Sequence, residues 1–219
     1  MDVERTVVEL CQAARAAARG VATAPTGVKN RCLSQAAAGL RTNCARLLDA
    51  NREDVLRGRE AGLSAALLDR LSLTEARVEA MAQGLDEVAK LPDPVGETIA
   101  QWRRPNGLEI GQIRIPLGVV GVIYESRPNV TADAAALCLK AGNAVVLKGG
   151  SEALATNSAI ATILADAAAR AGLPATTIQL IPTIDRPFIE ASQREAQNLL
   201  AFGLTGYSGI LRMIPSMTL

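Results

Sequence analysis

Three short apolar runs separated by two helical stretches constrain the fold of this chain more than any other feature of its sequence. The runs are mostly apolar, and the first is rich in β-branched side chains without polar alternation, which is typical of a strand buried on both faces of a sheet. They occupy residues 119–124, 144–147 and 178–181. The stretches between them carry apolar side chains at three- and four-residue spacing, and Gly142 and Gly172 are typical helix ends. Residues 117–186 are therefore predicted to form a parallel βαβαβ unit with right-handed crossovers, a Rossmann-like α/β fold.

The residues before this unit are predicted to form helices followed by a hairpin. Apolar side chains recur at helical spacing through residues 1–91, and Ser72 with Glu75 forms a capping-box pattern that predicts a helix start. Residues 92–116 alternate in polarity around a Pro-Asn-Gly turn, which is typical of a β-hairpin. The hairpin itself, residues 98–115, is either an arm for homo-oligomerisation or a locally packed element.

The charge balance and the residue types exclude several classes of partner and site. Lysine and arginine number 23 against 22 aspartate and glutamate residues, so no net positive field is available to bind nucleic acid or a membrane surface. The longest apolar run, residues 115–124, is about half the length of a membrane-spanning helix. The lack of histidine excludes Ser-His-Asp catalysis, and four cysteines without a C-x-x-C pair make a metal site unexpected. A charged N-terminus without an apolar signal core predicts a cytoplasmic protein with reduced thiols.

Polar side chains are concentrated in the two segments that follow the first and second predicted strands. In an open parallel sheet the ligand crevice lies beyond the carboxyl ends of the strands, so residues 125–131 and 148–152 form the candidate site. In the second segment, Lys148 offers a cation beside two glycines that let the backbone approach a ligand, and Ser151 suits the N-cap of the next helix. The same Gly-Gly-Ser sequence is also typical of a plain tight turn. In the first segment, Arg127 can pair with a carboxylate or phosphate, and the alternative is a capping loop with a surface arginine.

Both segments belong to a longer resemblance. The strings Tyr-Glu-Ser-Arg-Pro-Asn-Val-Thr at 124–131 and Leu-Lys-Gly-Gly-Ser-Glu-Ala at 147–153, with their flanking strands, closely resemble the gamma-glutamyl phosphate reductase family, the proline-pathway branch of the aldehyde dehydrogenase superfamily. Further similarity to that family lies at residues 50–55, 62–71 and 93–97. The resemblance covers roughly residues 1–186 and implies an aldehyde dehydrogenase-like NADPH-binding domain over that range.

The resemblance implies a reaction, a substrate and a cofactor. Members of this family use NADPH to reduce gamma-glutamyl phosphate to glutamate 5-semialdehyde, and a cysteine thioester forms as phosphate leaves, so the chemistry needs no histidine. The implied site for the cofactor's adenine ribose and 2′-phosphate is formed by Lys148, Gly149, Gly150, Ser151 and Glu152. Residues 124–129 are implied to lie along the path to the reacting centre. From the chemistry of the side chains, we expect the anionic substrate to be held by Ser126, Arg127 and Asn129.

Two departures from the family predict that this chain lacks the catalytic domain. The family's nucleophilic cysteine lies in a second domain beyond residue 219, and none of the four cysteines here lies in the corresponding motif. Cys138 falls in an apolar helix, where burial is expected to raise the pKa of its thiol. The family pattern fades after residue 186, and residues 187–219 form a divergent tail, as in a truncated or frame-shifted product. We therefore expect no catalytic residue here, and a sheet of three strands with one uncovered edge.

These departures leave two functions open. The first is the NADPH-binding part of the reductase, which is catalytically incomplete by itself. The second is a non-catalytic module that keeps the NADPH-binding fold and serves binding or assembly. Both predict nucleotide binding, and only the first predicts a role in reduction.

Overall fold

A computed structural model of the chain describes residues 3–181, 201–206 and 209–210. Its helices are α1 (Val3–Ala22), α2 (Thr26–Thr42), α3 (Cys44–Glu60), α4 (Ala65–Leu71), α5 (Glu75–Lys90), α6 (Asn129–Lys140) and α7 (Leu154–Arg170). Its strands are β1 (Thr98–Arg103), β2 (Glu109–Ile113), β3 (Val119–Tyr124), β4 (Ala144–Lys148), β5 (Ile178–Leu180), β6 (Ala201–Gly206) and β7 (Gly209–Ile210). Short 3-10 turns lie at Ser151–Ala153 and Ala175–Thr177. None of the described helices is both long enough and apolar enough to cross a membrane.

The predicted helical character of the N-terminal region is confirmed, but the start of α5 differs from the prediction. Thr74 is the N-cap, because its hydroxyl accepts a hydrogen bond from the Arg77 N–H at 3.2 Å. Ser72 instead ends α4, where its N–H and its hydroxyl both donate to the Leu68 carbonyl. The capping-box prediction at Ser72 is wrong because the residue is already used by the preceding helix. Pattern alone does not distinguish two capping residues that are two positions apart.

The hairpin is confirmed. Strands β1 and β2 pair antiparallel with Trp102 opposite Ile110, and the Arg104 N–H donates to the Leu108 carbonyl at 2.8 Å across the turn. Gly107 in this turn has a φ of +87°, a conformation that side chains disfavour. All six residues of β1 and four of the five in β2 are exposed. The hairpin therefore is not packed locally against the described helices.

A buried cluster of charges anchors the segment that leads into the hairpin. Lys29 of α2 is 1% exposed, and its Nζ lies 2.5 Å from Asp93 Oδ2. Lys140 at the end of α6 donates from its Nζ to Asn30 Oδ1 at 2.7 Å and to the Ala89 carbonyl at 2.9 Å. These contacts satisfy buried ammonium groups that would otherwise be costly. They join α2, α5 and α6 at one end of the helical layer.

The main sheet has five strands in the order β5-β4-β3-β6-β7. The predicted parallel unit is confirmed, because β3, β4 and β5 are parallel neighbours connected through α6 and α7. The uncovered edge expected beside β3 is not observed, since β6 pairs parallel to β3 from Val120 opposite Ala201 to Tyr124 opposite Thr205. This pairing joins distant parts of the chain, which a local sequence pattern does not specify. With β4 on one side and β6 on the other, β3 is the point at which the strand order reverses.

The sheet separates two layers of helices. On one face, Val122, Val145 and Leu147 pack in the larger core with residues of α2, α5, α6 and α7. On the opposite face, Ala144 and Val146 pack against α1. Every residue of β4 is buried. The unbroken apolar runs of the sequence are thus explained by helices on both faces of the sheet.

Candidate functional site

The two segments predicted to form the site meet at the carboxyl ends of β3 and β4. Ile123 lies opposite Lys148 in the parallel register, so both segments leave the sheet at the same edge. The Glu152 carboxylate joins them, because its Oε1 accepts a hydrogen bond from the Ser126 N–H at 2.9 Å and one from the Ser126 hydroxyl at 2.5 Å. Since the strand order reverses at β3, this edge is where an open α/β sheet forms its ligand crevice.

The contact with Ser126 controls the ionisation of Glu152. Burial raises the pKa of this half-buried carboxyl, but the hydrogen bonds from Ser126, the Glu152 N–H and Ser151 together outweigh burial and hold the pKa below its ordinary value. Glu152 is therefore an anion at neutral pH. A ligand hydroxyl that bonds to its Oε1 has to share that atom with Ser126 or displace it.

Lys148 brings a positive charge to the start of the second segment. It is the last residue of β4 and is only 8% exposed, so the aliphatic part of its side chain lies in the protein. Its Nζ donates to the Gly149 carbonyl at 3.0 Å. The ammonium group is thereby held next to the backbone of the glycine pair.

Side chains of β3, α7 and the segment itself lie close to Gly149 and Gly150. A Cβ at Gly149 would lie 2.1 Å from Asn157 Nδ2 and 3.1 Å from Tyr124 Cε2. A Cβ at Gly150 would lie 2.2 Å from Glu152 Oε1, the atom that binds Ser126. Neither glycine has a positive φ, and Gly150 is extended with φ −61° and ψ 151°, so contacts with neighbouring side chains rather than a tight turn account for the lack of a Cβ.

Ser151 does not cap α7, and that prediction is wrong. Ser151 lies in a 3-10 turn, and α7 begins at Leu154 with no side-chain cap from the residue before it. Asp54 of α3 takes this role instead, since its Oδ2 accepts hydrogen bonds from the Thr156 N–H at 2.8 Å and the Thr156 hydroxyl at 2.7 Å. A carboxylate also suits the positive end of a helix. The cap was not predictable locally because it comes from a residue 102 positions earlier.

Asn51 extends the buried polar contact between Asp54 and Thr156. Neither Asn51 nor Asp54 was identified from the sequence pattern. Asn51 Nδ2 donates to the Leu71 carbonyl at 2.8 Å and to Thr156 Oγ1 at 3.2 Å. Its Oδ1 accepts from the Leu73 N–H at 2.7 Å. The buried residues of α3 are Leu47, Asn51, Asp54 and Gly58. Polar residues at positions where helical periodicity demands apolar ones are the signal that points to such a buried network.

A second set of buried hydrogen bonds joins Tyr124, Thr131 and Asn157 next to the two segments. Thr131 Oγ1 donates to Asn157 Oδ1 at 3.0 Å, so the Tyr124 hydroxyl, 2.6 Å from Thr131 Oγ1, is the donor in that contact. Burial raises the pKa of Tyr124 to about 12, although the contact with Thr131 opposes it. Tyr124 therefore stays protonated and joins β3 to α6 and α7.

The three residues expected to hold the substrate divide between two surroundings. Ser126 is 8% exposed and is bonded to Glu152. Arg127 and Asn129 are exposed and line a cleft of about 410 Å³ beside the first turn of α6. Asn129 Nδ2 donates to Asp133 Oδ2 at 3.0 Å in this cleft. The structure thus separates a buried donor from an exposed charged cleft.

The four cysteines lie in helices, within the described part of the chain, and form no disulfide. Cys11 and Cys32 are buried, and Cys44 and Cys138 are half-buried. Burial raises the pKa of Cys138 to about 12, in the predicted direction. It raises the pKa of Cys32 to about 12 as well, against the weaker effect of Arg170. At neutral pH these two thiols are protonated and therefore poor nucleophiles.

Comparisons with known proteins agree with this architecture. Residues 2–202 match the family model of the aldehyde dehydrogenase family. A gamma-glutamyl phosphate reductase of Clostridium novyi is 51% identical over 194 residues, which are 89% of this chain and 46% of that protein. The reductase of Mesorhizobium japonicum is 56% identical over 185 residues, or 84% of this chain and 43% of that protein. The chain spans about half the length of the curated relatives it matches.

Solved structures share the fold. The crystal structure of gamma-glutamyl phosphate reductase from Thermotoga maritima has a TM-score of 0.88 and 36% identity, and the match covers 92% of this chain and 49% of that one. A probable aldehyde dehydrogenase from Listeria monocytogenes has a TM-score of 0.67 at 15% identity, covers 90% of this chain and 41% of that one, and supports the fold alone. The chain belongs to the aldehyde dehydrogenase family, and within that family it is similar to the gamma-glutamyl phosphate reductases.

Proposed function

We propose that this chain is the nucleotide-binding part of an enzyme that reduces gamma-glutamyl phosphate to glutamate 5-semialdehyde and phosphate with NADPH, a step of proline biosynthesis. The observation that carries the proposal is the meeting of the two segments at the strand-order reversal, in a chain 51% identical to a gamma-glutamyl phosphate reductase. Ligands of open α/β folds bind at such an edge. We expect a small-molecule substrate, and neither nucleic acid nor a membrane as partner.

The residues of the second segment fit the adenosine end of this cofactor. Lys148 carries the positive charge that a ribose 2′-phosphate needs, and that charge favours NADPH over NADH. The exposed Ser151 hydroxyl and the Glu152 carboxylate are a donor and an acceptor for ribose hydroxyls. We assign the cofactor contacts to Lys148, Gly149, Gly150, Ser151 and Glu152. NADPH, when bound, supplies the hydride.

The residues of the first segment suit the substrate. Ser126 has two donors, the N–H and the hydroxyl, that now bond to Glu152 and that match an acyl oxygen on which negative charge develops. Arg127 and Asn129 offer charged and neutral donors to the anionic groups of the substrate. We assign substrate contacts to these three residues.

The reduction also needs a nucleophile, which we place outside this chain. In such a reaction a thiolate attacks the acyl carbon, phosphate leaves, and the thioester accepts the hydride. The protonated thiols of Cys32 and Cys138 do not suit this role. About half of the relatives' length is not matched by this chain, and we place the nucleophile in that half. The chain alone is expected to bind NADPH without catalysing reduction.

The buried thiols equally favour the second candidate, a non-catalytic NADPH-fold module. A nucleotide titration tests both, and an assay with glutamate 5-semialdehyde, phosphate and NADP tests for turnover. Measurable turnover by the purified chain contradicts both descriptions. The genomic sequence after the codon for Leu219 separates them, because a cysteine-bearing second half in another frame supports the incomplete reductase.

We also propose that the hairpin of β1 and β2 joins copies of the chain. Ile99, Trp102 and Ile113 are 50%, 45% and 53% exposed, so apolar side chains of the hairpin are available for burial between copies. We place the protein in the cytoplasm, since the described structure keeps all four cysteines as thiols.

A further inference from the structure

We infer that the cleft between the end of α4, the start of α5 and the first turn of α6 binds the α-amino and α-carboxylate groups of the substrate. This inference rests on the proposed function, in which the substrate is a glutamate derivative. It extends the substrate site beyond the first segment to charged side chains on α4 and α6. The cleft has a volume of about 410 Å³, which is large enough for the α-amino and α-carboxylate groups of an amino acid.

The cleft carries charges of both signs. The charged residues that line it are Asp69, Arg70, Arg77, Arg127 and Asp133. A free amino acid presents a carboxylate and an ammonium group on the same carbon, so its recognition needs a cation and an anion close together. A cleft lined with cations alone would favour a phosphate group. The mixture observed here favours a zwitterion.

Arg127 is the cation available to a carboxylate. Its guanidinium makes no hydrogen bond or ion pair with any side chain or backbone group that the structure describes. Arg77 differs, because it donates to the Asp69 carbonyl at 2.5 Å and to the Ser72 carbonyl at 2.7 Å and so holds the end of α4 in place. A guanidinium can bind a carboxylate through two parallel hydrogen bonds. We therefore assign the α-carboxylate of the substrate to Arg127, with Arg70 on the same wall.

Asp133 is the anion available to an ammonium group. Its Oδ2 accepts from Asn129 Nδ2 at 3.0 Å, which holds the side chain toward the first turn of α6. Its Oδ1 faces Gly84 of α5, and a Cβ placed on Gly84 would lie 3.8 Å from this oxygen. Burial raises the pKa of Asp133, although the hydrogen bond from Asn129 opposes this. An ammonium group beside the Asp133 carboxylate would offset the effect of burial on its pKa, and the carboxylate would bind that ammonium group.

The position of the cleft agrees with the reaction. Arg127 directly follows Ser126, which bonds to Glu152 on the side of the crevice. Ser126 is not among the residues that line the cleft, so a substrate held by Arg127 at its amino-acid end has to extend out of the cleft to reach the donors of Ser126. The reduction takes place at the other end of a glutamate derivative, so recognition at Arg127 and Asp133 leaves the reacting acyl group free.

The test compares three ligands on the full 219-residue chain by NMR chemical-shift titration. L-glutamate has both groups, glutarate lacks the ammonium, and 4-aminobutyrate lacks the α-carboxylate. We expect L-glutamate to bind at least about tenfold more tightly than either analogue, as for the loss of one charged hydrogen bond. Arg127→Ala should remove the preference over 4-aminobutyrate, and Asp133→Asn the preference over glutarate. Arg46→Ala and Asp166→Asn, exposed on α3 and α7, should change neither preference.

The same samples separate this inference from the proposed function. Thermal unfolding checks that each variant is folded, and Arg127→Gln and Asp133→Ala, which also remove the charge, replace any variant that is not. Equal binding of the three ligands, no saturable binding of L-glutamate, or preferences unchanged by the substitutions would overturn the inference. NADPH binding in those samples would leave the proposed cofactor standing. Selective L-glutamate binding without NADPH binding would support the cleft and contradict the cofactor.

Discussion

The Glu152 carboxylate accepts hydrogen bonds from both the N–H and the hydroxyl of Ser126, at 2.9 Å and 2.5 Å. Glu152, which we assign to the cofactor site, is thus hydrogen-bonded to Ser126, which we assign to the substrate site. Because both bonds use Oε1, a cofactor hydroxyl that bonds to this atom has to share it with Ser126 or release the donors of Ser126. The two loops at the edge of the sheet therefore form one unit.

Breaking this unit from either side should remove the same contact. Glu152→Ala and Ser126→Ala are each expected to lower the free energy of unfolding by about 1 kcal/mol. Since they break one contact, the double variant should lose less than the sum of the two. Urea unfolding of the parent, both single variants and the double variant measures this. Strictly additive losses would show that the contact contributes nothing to stability.

The same contact should depend on pH in a defined direction. Burial raises the pKa of Glu152, but its hydrogen bonds, those from Ser126 among them, hold the pKa in the folded chain below that of the unfolded chain, which is near 4.3. The contact therefore stabilises the fold above the unfolded pKa, and this stabilisation is lost as the pH falls through the folded pKa. The stability difference between the parent and Glu152→Gln should shrink as the pH falls below about 4.3. A difference that stays constant over this range contradicts the assignment.

Asp54 should be a major support of α7 and of the segment before it. Asp54→Ala leaves the Thr156 N–H and hydroxyl without their acceptor in a buried site, so we expect a loss of about 2–4 kcal/mol. Asp49→Ala on the same helix is the control, because the Asp49 side chain is 64% exposed. Chemical denaturation compares the two variants. Equal stability of both would show that Asp54 does not cap α7.

Self-association should depend on the hairpin. Replacing Ile99 and Trp102 by lysine removes apolar side chains that the described structure leaves exposed on β1, and should shift the chain toward the monomer in analytical ultracentrifugation. Leu56→Lys on α3 is the control, since Leu56 is 56% exposed outside the hairpin. A parent that is monomeric at all concentrations, or a hairpin variant that associates like the parent, contradicts the proposed arm.

The parts of the fold that were predictable depend on local pattern. The apolar run of β4 and the glycine after α6 identify a buried strand and a helix end from neighbouring residues alone. Local pattern did not identify the caps of α5 and α7. Thr74 caps α5 because Ser72 already ends α4, and Asp54 caps α7 from a distant helix. The pairing of β6 with β3 was also not predictable from local pattern, because the two strands are far apart in the sequence.

The candidate site was predictable in position and less so in detail. The carboxyl ends of neighbouring parallel strands meet at one edge, which is enough to bring the two segments together. The bond between Ser126 and Glu152 was not predictable, since it depends on side-chain directions that the segments acquire only on folding. Arg70 and Asp133 were missed as cleft residues because they lie on helices and have no motif.

We expect this chain to bind NADPH through Lys148, and a fluorescence titration of the purified chain tests this binding directly. The parent should bind NADPH more tightly than NADH, and Lys148→Ala should weaken NADPH binding at least about tenfold and abolish that preference. Lys90→Ala, at an exposed position in the last turn of α5, should bind like the parent. A folded parent that does not bind NADPH, or a Lys148→Ala variant that binds it as tightly as the parent, would contradict the account.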